Sequence, residues 1–347
     1  MQYRLLGRTG LRVAPFALGA MTFGDTSWGT DETTSRAIVD RYLDAGGNFI
    51  DTANGYASGR SEEILGAVLA ESGRRDEVVL ATKFTAARRA GDPNAGGNGR
   101  KNILASLEES LRRLRTDYLD LYWLHIWDTV TPVEEVMSTF DALVRAGKVR
   151  AVGLSDTPAW YAAKAQLRAA AHGWEPVAAL QLEYSLVERS IEREHVPAAL
   201  DLGMGIVPWS PLAHGFLTGK YTRGGDDGIV GEGRVQALRA SPYGRRHTER
   251  DWAVLASLVE IADELGASPA QVALSWVTSR PGVSSTLVGA RTVAQLEDNL
   301  GALDVILSAE HLARLEQLGR PDLLHPYDLH VPEHTRRLHG GAVVAAG

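Results

Sequence analysis

The sequence predicts an α/β protein that folds as a single (β/α)8 TIM barrel, and two observations favour this fold. Eight short apolar runs alternate with amphipathic stretches along the 347 residues. Continuous apolar runs are typical of strands that are buried on both faces of a parallel sheet. The second observation is that residues 19–24, after the first run, lack the G-x-G-x-x-G pattern that usually marks an open doubly wound sheet. Eight repeats of strand and helix therefore favour a closed barrel over the open sheet.

Each predicted strand ends where its apolar run reaches a polar residue or a glycine. They occupy residues 16–19, 48–51, 78–83, 119–125, 149–155, 179–181, 205–209 and 284–288. Amphipathic helices are predicted between them, at residues 33–45, 61–71 and 103–114 among others. Gly46, Gly147 and Gly203 follow helical stretches and are expected to end them.

Three segments fall outside the strand–helix repeat. Gly7 and Gly10 lie between two short apolar runs, which predicts an N-terminal β-hairpin that closes the bottom of the barrel. The longest gap between strands follows the seventh one, so we expect a long loop at residues 211–246, and a second loop rich in Gly and Asn at 84–100. The whole chain, 1–347, is predicted to be one domain, with a C-terminal tail from about residue 320 to 347.

Composition narrows the class of protein. The chain has 36 basic and 43 acidic residues, and the resulting charge of −7 argues against a nucleic-acid-binding surface. It has no cysteine, which excludes disulfides, thiol catalysis and thiolate metal sites. No apolar run is long enough to span a membrane, and the first residues lack an export signal. We therefore expect a cytoplasmic protein with no membrane or nucleic-acid partner.

The polar residues at the predicted strand ends form a candidate catalytic group. Asp51, Lys83 and His125 end the second, third and fourth strands, and Tyr56 follows Asp51 in the next loop. The carboxyl ends of barrel strands meet at one rim, where barrel enzymes carry their catalytic groups. A lysine ammonium lowers the pKa of a neighbouring tyrosine from about 10. Asp51 would supply the counter-charge for Lys83, and His125 would hydrogen-bond the substrate oxygen. A proton-donating tyrosine suits the reduction of a carbonyl group.

Spacing alone leaves other interpretations open. A single Asp at a strand end is often a helix cap or a structural ion pair, and a single Lys or His there is ambiguous. A metal-dependent hydrolase would use Asp51 and His125 as ligands. The sequence has no His-x-His at a strand end, however, and Lys83 on the same rim would repel a cation. We therefore predict no metal.

The segments around these residues resemble the aldo-keto reductase family over nearly the whole chain. The resemblance is carried by residues 18–24, 48–56, 81–83 and 120–125, which contain the family's catalytic Asp, Tyr, Lys and His in their usual order. It implies that Tyr56 is the proton donor, that Lys83 pairs with Asp51, and that His125 orients the substrate. It also implies reduction of an aldehyde or ketone with NADPH. The sequence is most similar to the branch that holds potassium-channel beta subunits and bacterial reductases. That branch keeps a further interpretation open, a regulatory protein that binds the cofactor without turnover.

The resemblance also implies the cofactor contacts. Ser155 and Gln181 correspond to carboxamide contacts, and Trp209 to the aromatic residue that stacks on the nicotinamide. Asp156 stands where the family usually has Asn, and a carboxylate cannot donate a hydrogen bond to the carboxamide oxygen. Arg291 is the expected partner of a 2′-phosphate, which favours NADPH over NADH. The other implied cofactor contacts are Gly19, Met21, Thr22, Asp51, Ser210, Leu212, Gly215, Lys220, Gly289, Gln295 and Asn299.

The substrate pocket is predicted from residues that follow the strands. Trp28 and Trp127 follow the first and fourth strands, and with Tyr56 and His125 they are expected to contact the substrate. The branch includes enzymes of deoxysugars, small aldehydes and secondary metabolites, so the expected substrate is a small carbonyl compound of one of these kinds. A homo-oligomer is compatible with the sequence.

Overall fold

The computed structural model describes residues 1–25, 27–224, 229–238 and 247–343, and it contains the predicted barrel. Eight parallel strands form one sheet: from Phe16–Gly19 to Gly205–Trp209 each strand pairs with the next along the chain, and Thr286–Val288 pairs with Phe16–Gly19, so that Gly205–Trp209 and Thr286–Val288 are the two edge strands. The two edge strands meet through residues 282–284, because the Ile206 N–H donates to the Gly282 carbonyl at 2.8 Å and the Ser284 N–H donates to the Ile206 carbonyl at 2.9 Å. The sheet is therefore closed, and the prediction of a (β/α)8 barrel is confirmed.

The strands and helices alternate as the apolar pattern predicts, with bounds that differ from the predicted ones by a few residues. The barrel strands are β3 (Phe16–Gly19), β4 (Phe49–Asp51), β5 (Val79–Phe84), β6 (Leu119–Leu124), β7 (Val149–Ser155), β8 (Val177–Glu183), β9 (Gly205–Trp209) and β10 (Thr286–Val288). The helices are α1 (Glu32–Asp44), α2 (Arg60–Ser72), α3 (Arg100–Leu114), α4 (Val133–Arg145), α5 (Ala159–His172), α6 (His195–Leu202), α7 (Arg234–Leu238), α8 (Glu249–Leu265), α9 (Pro269–Thr278), α10 (Val293–Gly301), α11 (Ala309–Gly319) and α12 (Pro332–Leu338). None of these helices within the described residues is long and apolar enough to cross a membrane.

Side-chain caps and glycines set the helix ends. The Asp31 side chain accepts the Thr34 N–H at the start of α1, and Thr248 and Ser268 begin α8 and α9 with reciprocal capping boxes. Gly203 ends α6 with a φ of +77°, a left-handed conformation that glycine adopts without steric cost. The predicted helix ends at the three glycines are confirmed.

The N-terminal hairpin closes one end of the barrel. β1 (Arg4–Leu5) pairs antiparallel with β2 (Arg12–Val13). Leu6 and Val13 are completely buried and pack with the inward-facing side chains of the strands, among them Phe49 and Leu121. The hairpin therefore completes the apolar interior of the barrel and leaves the opposite rim for polar residues.

The long segments lie at the rim that carries the strand carboxyl ends, or beside it. Residues 85–99 contain no regular helix or strand, as predicted. The insertion after β9 contains a 3₁₀ turn at Ala213–Thr218 and helix α7, while its residues 225–228 and 239–246 lie outside the described residues. The tail runs back over the start of α6, where the Tyr327 hydroxyl donates to the Glu194 carboxylate at 2.5 Å.

Candidate active site

A buried lysine connects three of the four predicted catalytic residues. Asp51 is the last residue of β4, and Lys83 lies near the end of the neighbouring strand β5. The Lys83 Nζ donates to the Asp51 carboxylate, to the Thr52 carbonyl at 2.8 Å and to the Tyr56 hydroxyl at 3.3 Å. Asp51 and Lys83 are 2% and 0% exposed, so water does not compete for these bonds. The three protons of the ammonium group are thus all used within the site.

The ion pair keeps Lys83 positively charged. Burial lowers the pKa of Lys83, but the carboxylate of Asp51 and the phenol of Tyr56 outweigh burial, so the pKa lies above its ordinary value. Burial raises the pKa of Asp51, and the ammonium of Lys83 opposes this rise. The Gln181 side chain adds a second partner, since its Nε2 donates to Asp51 Oδ1 at 3.1 Å.

The Tyr56 phenol is less acidic than the sequence predicted. Lys83 does lower the pKa of Tyr56, as expected, but burial of the phenol has a larger effect in the opposite direction. The net pKa is raised, so Tyr56 holds its proton at neutral pH. The backbone turns sharply after Tyr56, with positive φ angles at Ala57 and Ser58, and this turn places the phenol above Lys83.

His125 completes the group as a neutral ring. It directly follows β6, and its ring lies edge-on to the Tyr56 ring with centroids 5.7 Å apart. Burial, with a smaller contribution from the Lys83 charge, lowers the pKa of His125 to about 3. A neutral imidazole has one donor and one acceptor nitrogen, so it can hold an oxygen without adding a second positive charge.

The predicted carboxamide contacts lie together at the ends of β7 and β8. Ser155 and Gln181 are register partners and both are buried. Asp156 follows Ser155 with a φ of +45°, and its Oδ1 accepts a hydrogen bond from the Trp209 indole Nε1 at 3.0 Å. Burial raises the pKa of Asp156 to about 6, against smaller opposing effects of the Trp209 hydrogen bond and the Lys83 charge. Asp156 therefore links the predicted carboxamide contacts to the predicted stacking residue.

The loop after β9 contains several left-handed residues, and two positively charged side chains lie near it. Ser210 and Gly215 have φ angles of +53° and +91°, and Leu212 lies between them at the start of the 3₁₀ turn. A Cβ atom at Gly215 would lie 3.6 Å from the Lys220 Nζ, so the ammonium stands directly over the glycine backbone. Burial lowers the pKa of Lys220, and the positive charge of Arg291 lowers it further. Two cations from distant parts of the sequence therefore face one region.

The loops after β3 and β10 adjoin each other. The Thr22 hydroxyl donates to the Ala290 carbonyl at 3.3 Å, and Gly19 pairs with Asp51 in the sheet. Near Arg291, the Gln295 side chain accepts the Arg291 backbone N–H at 2.9 Å, and the Asn299 amide donates to the Gly289 carbonyl at 3.3 Å. The predicted adenosine-end residues thus form one short cluster at the N-terminal end of α10.

One functional candidate, Arg234, was missed from the sequence. It lies on α7 in the long insertion, with its guanidinium 3.7 Å from the Met21 sulfur and 5.3 Å from the centre of the Trp28 ring. Burial lowers the pKa of Arg234, and its electrostatic interactions with Tyr56 and Glu183 oppose this effect. No periodicity or motif in the insertion distinguishes Arg234, because its place over the rim is set by tertiary folding.

The two predicted tryptophans of the substrate pocket have different neighbours. Trp28 lies against Arg234. Trp127 packs edge-on against Trp160 of α5 at 5.5 Å between ring centres, and it also lines a cleft beside Asp156. The structure therefore places both at the rim, in separate surroundings.

The rim of this closed (β/α)8 barrel holds a protonated tyrosine, a charged lysine and a neutral histidine. Such a group can donate a proton to a substrate oxygen, as an oxidoreductase that acts on carbonyl groups requires. The sequence model of the aldo/keto reductase family matches residues 15–320, and the chain belongs to this family. This confirms the family and the fold predicted from the sequence.

Relatives with similar sequences are oxidoreductases. An uncharacterized oxidoreductase, YrpG, from Bacillus subtilis is 40% identical and covers 92% of this chain and 96% of its own length. A norsolorinic acid reductase from Emericella nidulans is 37% identical, over 88% of this chain and 78% of the relative. An aryl-alcohol dehydrogenase [NADP(+)] from Phanerodontia chrysosporium is also 37% identical, over 87% of this chain and 82% of the relative. The chain is an oxidoreductase, as predicted.

Proposed function

We propose that this protein reduces an aldehyde or ketone to the alcohol with NADPH and that Tyr56 donates the proton. The observation that supports this most directly is the Tyr56 hydroxyl, 3.3 Å from the buried Lys83 ammonium and beside a neutral His125. A carbonyl oxygen placed between the phenol and the imidazole would receive a hydrogen bond from each group.

Each residue of the group has one task in this proposal. Bound NADPH supplies the hydride that reaches the carbonyl carbon. As negative charge develops on the oxygen, Tyr56 transfers its phenolic proton there, and Lys83 stabilises the phenolate that remains. Asp51 keeps Lys83 charged and fixed in position, and His125 orients the substrate oxygen.

The rim residues suit a dinucleotide with an anionic phosphate end. Ser155 and Gln181 offer buried polar groups for the carboxamide, and Trp209 offers an aromatic face for the nicotinamide. Burial lowers the pKa of Lys220 and the charge of Arg291 lowers it further, and a phosphate bound between these two cations would offset their repulsion. Arg234, which faces the same rim, adds a third cation. We propose Arg291 as the residue that selects NADPH through its 2′-phosphate.

Cofactor binding can be tested by quenching of tryptophan fluorescence, since Trp209 is proposed to contact the nicotinamide. NADPH should bind more tightly than NADH, and Arg291→Ala should weaken NADPH binding while changing NADH binding little. Arg12→Ala, an exposed arginine on the hairpin at the other end of the barrel, is the matched control. Equal affinity for both nucleotides in the unchanged protein would refute the assignment of Arg291.

Catalysis can be tested by the oxidation of NADPH in the presence of aldehydes. Tyr56→Phe should retain NADPH binding and lose about 10²- to 10⁴-fold in kcat, the usual contribution of a general acid. Relatives are named for norsolorinic acid and aryl alcohols, so we propose an aryl carbonyl metabolite as the substrate and aryl aldehydes as the first compounds to assay. NADPH binding without turnover of any carbonyl compound would favour a regulatory protein instead.

A further inference from the structure

A cleft lies at the ends of three consecutive strands, and Asp156 and Trp127 of the predicted site are among its lining residues. Its volume is about 560 Å³. Its wall residues directly follow three predicted site residues in sequence: 126–127 follow His125, 156–158 follow Ser155, and 182–183 follow Gln181. Through Asp156, which bonds the Trp209 indole, the cleft adjoins the place proposed for the nicotinamide carboxamide. We call it the side cleft.

The lining of the side cleft combines apolar and polar side chains. The apolar ones are Ile126, Trp127, Pro158, Leu182 and Ile191. The polar ones are Asp156 and Thr157 after β7, Glu183 at the end of β8, and Glu188, Ser190 and His195 between β8 and the start of α6.

Hydrogen bonds within the protein hold two of these polar groups, Glu188 and His195, in place. The Glu188 carboxylate accepts the Ser190 backbone N–H at 3.0 Å. The His195 ring Nε2 donates to the Thr157 carbonyl at 2.9 Å, so that Nδ1 is the ring nitrogen left for a ligand. Carboxylate and hydroxyl oxygens accept hydrogen bonds from ligand hydroxyl groups. Their positions are set before any ligand binds.

We propose that the side cleft binds the part of the substrate remote from its carbonyl group, and that this part is a flat aromatic ring system bearing hydroxyl groups. The volume lies within the range of about 300–1,000 Å³ that is usual for small-molecule sites. A lining that combines apolar side chains, among them the Trp127 ring, with fixed hydrogen-bonding groups matches a planar apolar body that carries hydroxyls. This inference depends on the proposed carbonyl reduction at Tyr56, and it specifies the substrate as larger than a single ring.

The proposal is tested by narrowing the side cleft from its exposed end. Ser190 is exposed and lines the cleft, so Ser190→Phe places a ring at its mouth without altering the packed interior. The kcat/KM values of 6-hydroxy-2-naphthaldehyde and of benzaldehyde are measured with NADPH. Ser190→Phe should lower the ratio of the two-ring to the one-ring value by about tenfold or more, which corresponds to about 1.4 kcal/mol. Ser72→Phe, at the exposed end of α2, is the matched control and should keep the ratio of the unchanged protein.

A second readout does not need turnover. 2-Naphthol, which has no carbonyl to reduce, should quench tryptophan fluorescence through Trp127, and Ser190→Phe should weaken its binding. Trp127→Leu is a second variant, and it should lower the same ratio by removing the aromatic wall. If the kcat/KM ratio is the same in all variants, and Ser190→Phe binds 2-naphthol as tightly as the unchanged protein, the side cleft is not a substrate site, although carbonyl reduction stands. If neither aldehyde is reduced while NADPH binds, the proposed function fails, and 2-naphthol binding still reports on the cleft.

Discussion

Replacement of Asp156 by asparagine is expected to stabilise the folded protein at neutral pH. The carboxyl group lies between Ser155 and the Trp209 indole, where burial makes its charged form unfavourable. Asparagine has the same shape and no charge, and its Oδ1 can still accept the indole hydrogen bond. The substitution therefore removes the cost of a buried charge and keeps the contact.

The size of the effect follows from the pKa of Asp156. Folding raises this pKa from 3.8 to about 6, a change of about 2 units. At about 1.4 kcal/mol per unit, the ionised carboxyl destabilises the folded state by up to about 3 kcal/mol. Because the folded-state pKa is the higher one, the penalty is absent below pH 3.8, grows as the pH rises, and is complete above pH 6. Between pH 5 and pH 8 it should grow by about 1.4 kcal/mol.

Urea denaturation followed by tryptophan fluorescence at pH 5 and at pH 8 measures this effect. Asp156→Asn should be more stable than the unchanged protein at both values, and the difference should be larger at pH 8. Asp263→Asn, on the exposed face of α8, is the control for the loss of one negative charge. A difference in unfolding free energy that is equal at the two pH values, or larger at pH 5, would refute the argument that burial shifts the Asp156 pKa.

Three further predictions follow from the buried groups. Lys83→Met leaves Asp51 without its counter-charge and should reduce the unfolding free energy by about 3–5 kcal/mol at pH 8. The loss should be smaller at pH 5, where Asp51 becomes neutral more readily, and urea denaturation measures both values. His125 should remain neutral down to about pH 3, so an NMR titration of its ring proton should show no change between pH 5 and 8, and a midpoint near 6.5 would contradict its burial. Gly153→Ala should lower the melting temperature, because the added Cβ would lie 2.2 Å from the Trp123 ring, and such overpacking costs about 1–3 kcal/mol. An unchanged melting temperature would mean that the ring moves aside.

The sequence predicted the barrel and the position of the candidate catalytic group because both depend on local patterns. Each strand is a continuous apolar run, and the residue that ends the run is the one that reaches the rim. Asp51, Lys83 and His125 could thus be placed on one rim without any knowledge of helix packing. Parallel pairing in sequence order then brings Asp51 and Lys83 onto neighbouring strands, where they meet.

The features that the sequence did not predict depend on contacts between distant segments. The raised pKa of Tyr56 results from burial by surrounding loops, and the pattern of residues 48–56 gives no measure of that burial. Arg234 reaches Met21 and Trp28 from more than 200 positions away along the chain. The hydrogen-bond partner of Asp156, the Trp209 indole, likewise comes from another strand, β9. Only the folded structure shows that the Asp156 carboxylate has this donor beside it.

The Lys83–Asp51 pair is better explained by chemistry than by stability. Two charges removed from water pay a desolvation cost that their attraction often fails to recover, and apolar residues of similar size can be as stabilising. The preceding inward-facing residues of the same two strands, Phe49 and Ala81, are buried and apolar. What an apolar pair would lack is the third proton of the ammonium group, which is directed at the Tyr56 hydroxyl. The cation is therefore held where it stabilises negative charge on that oxygen, and such charge arises on Tyr56 only when its proton leaves.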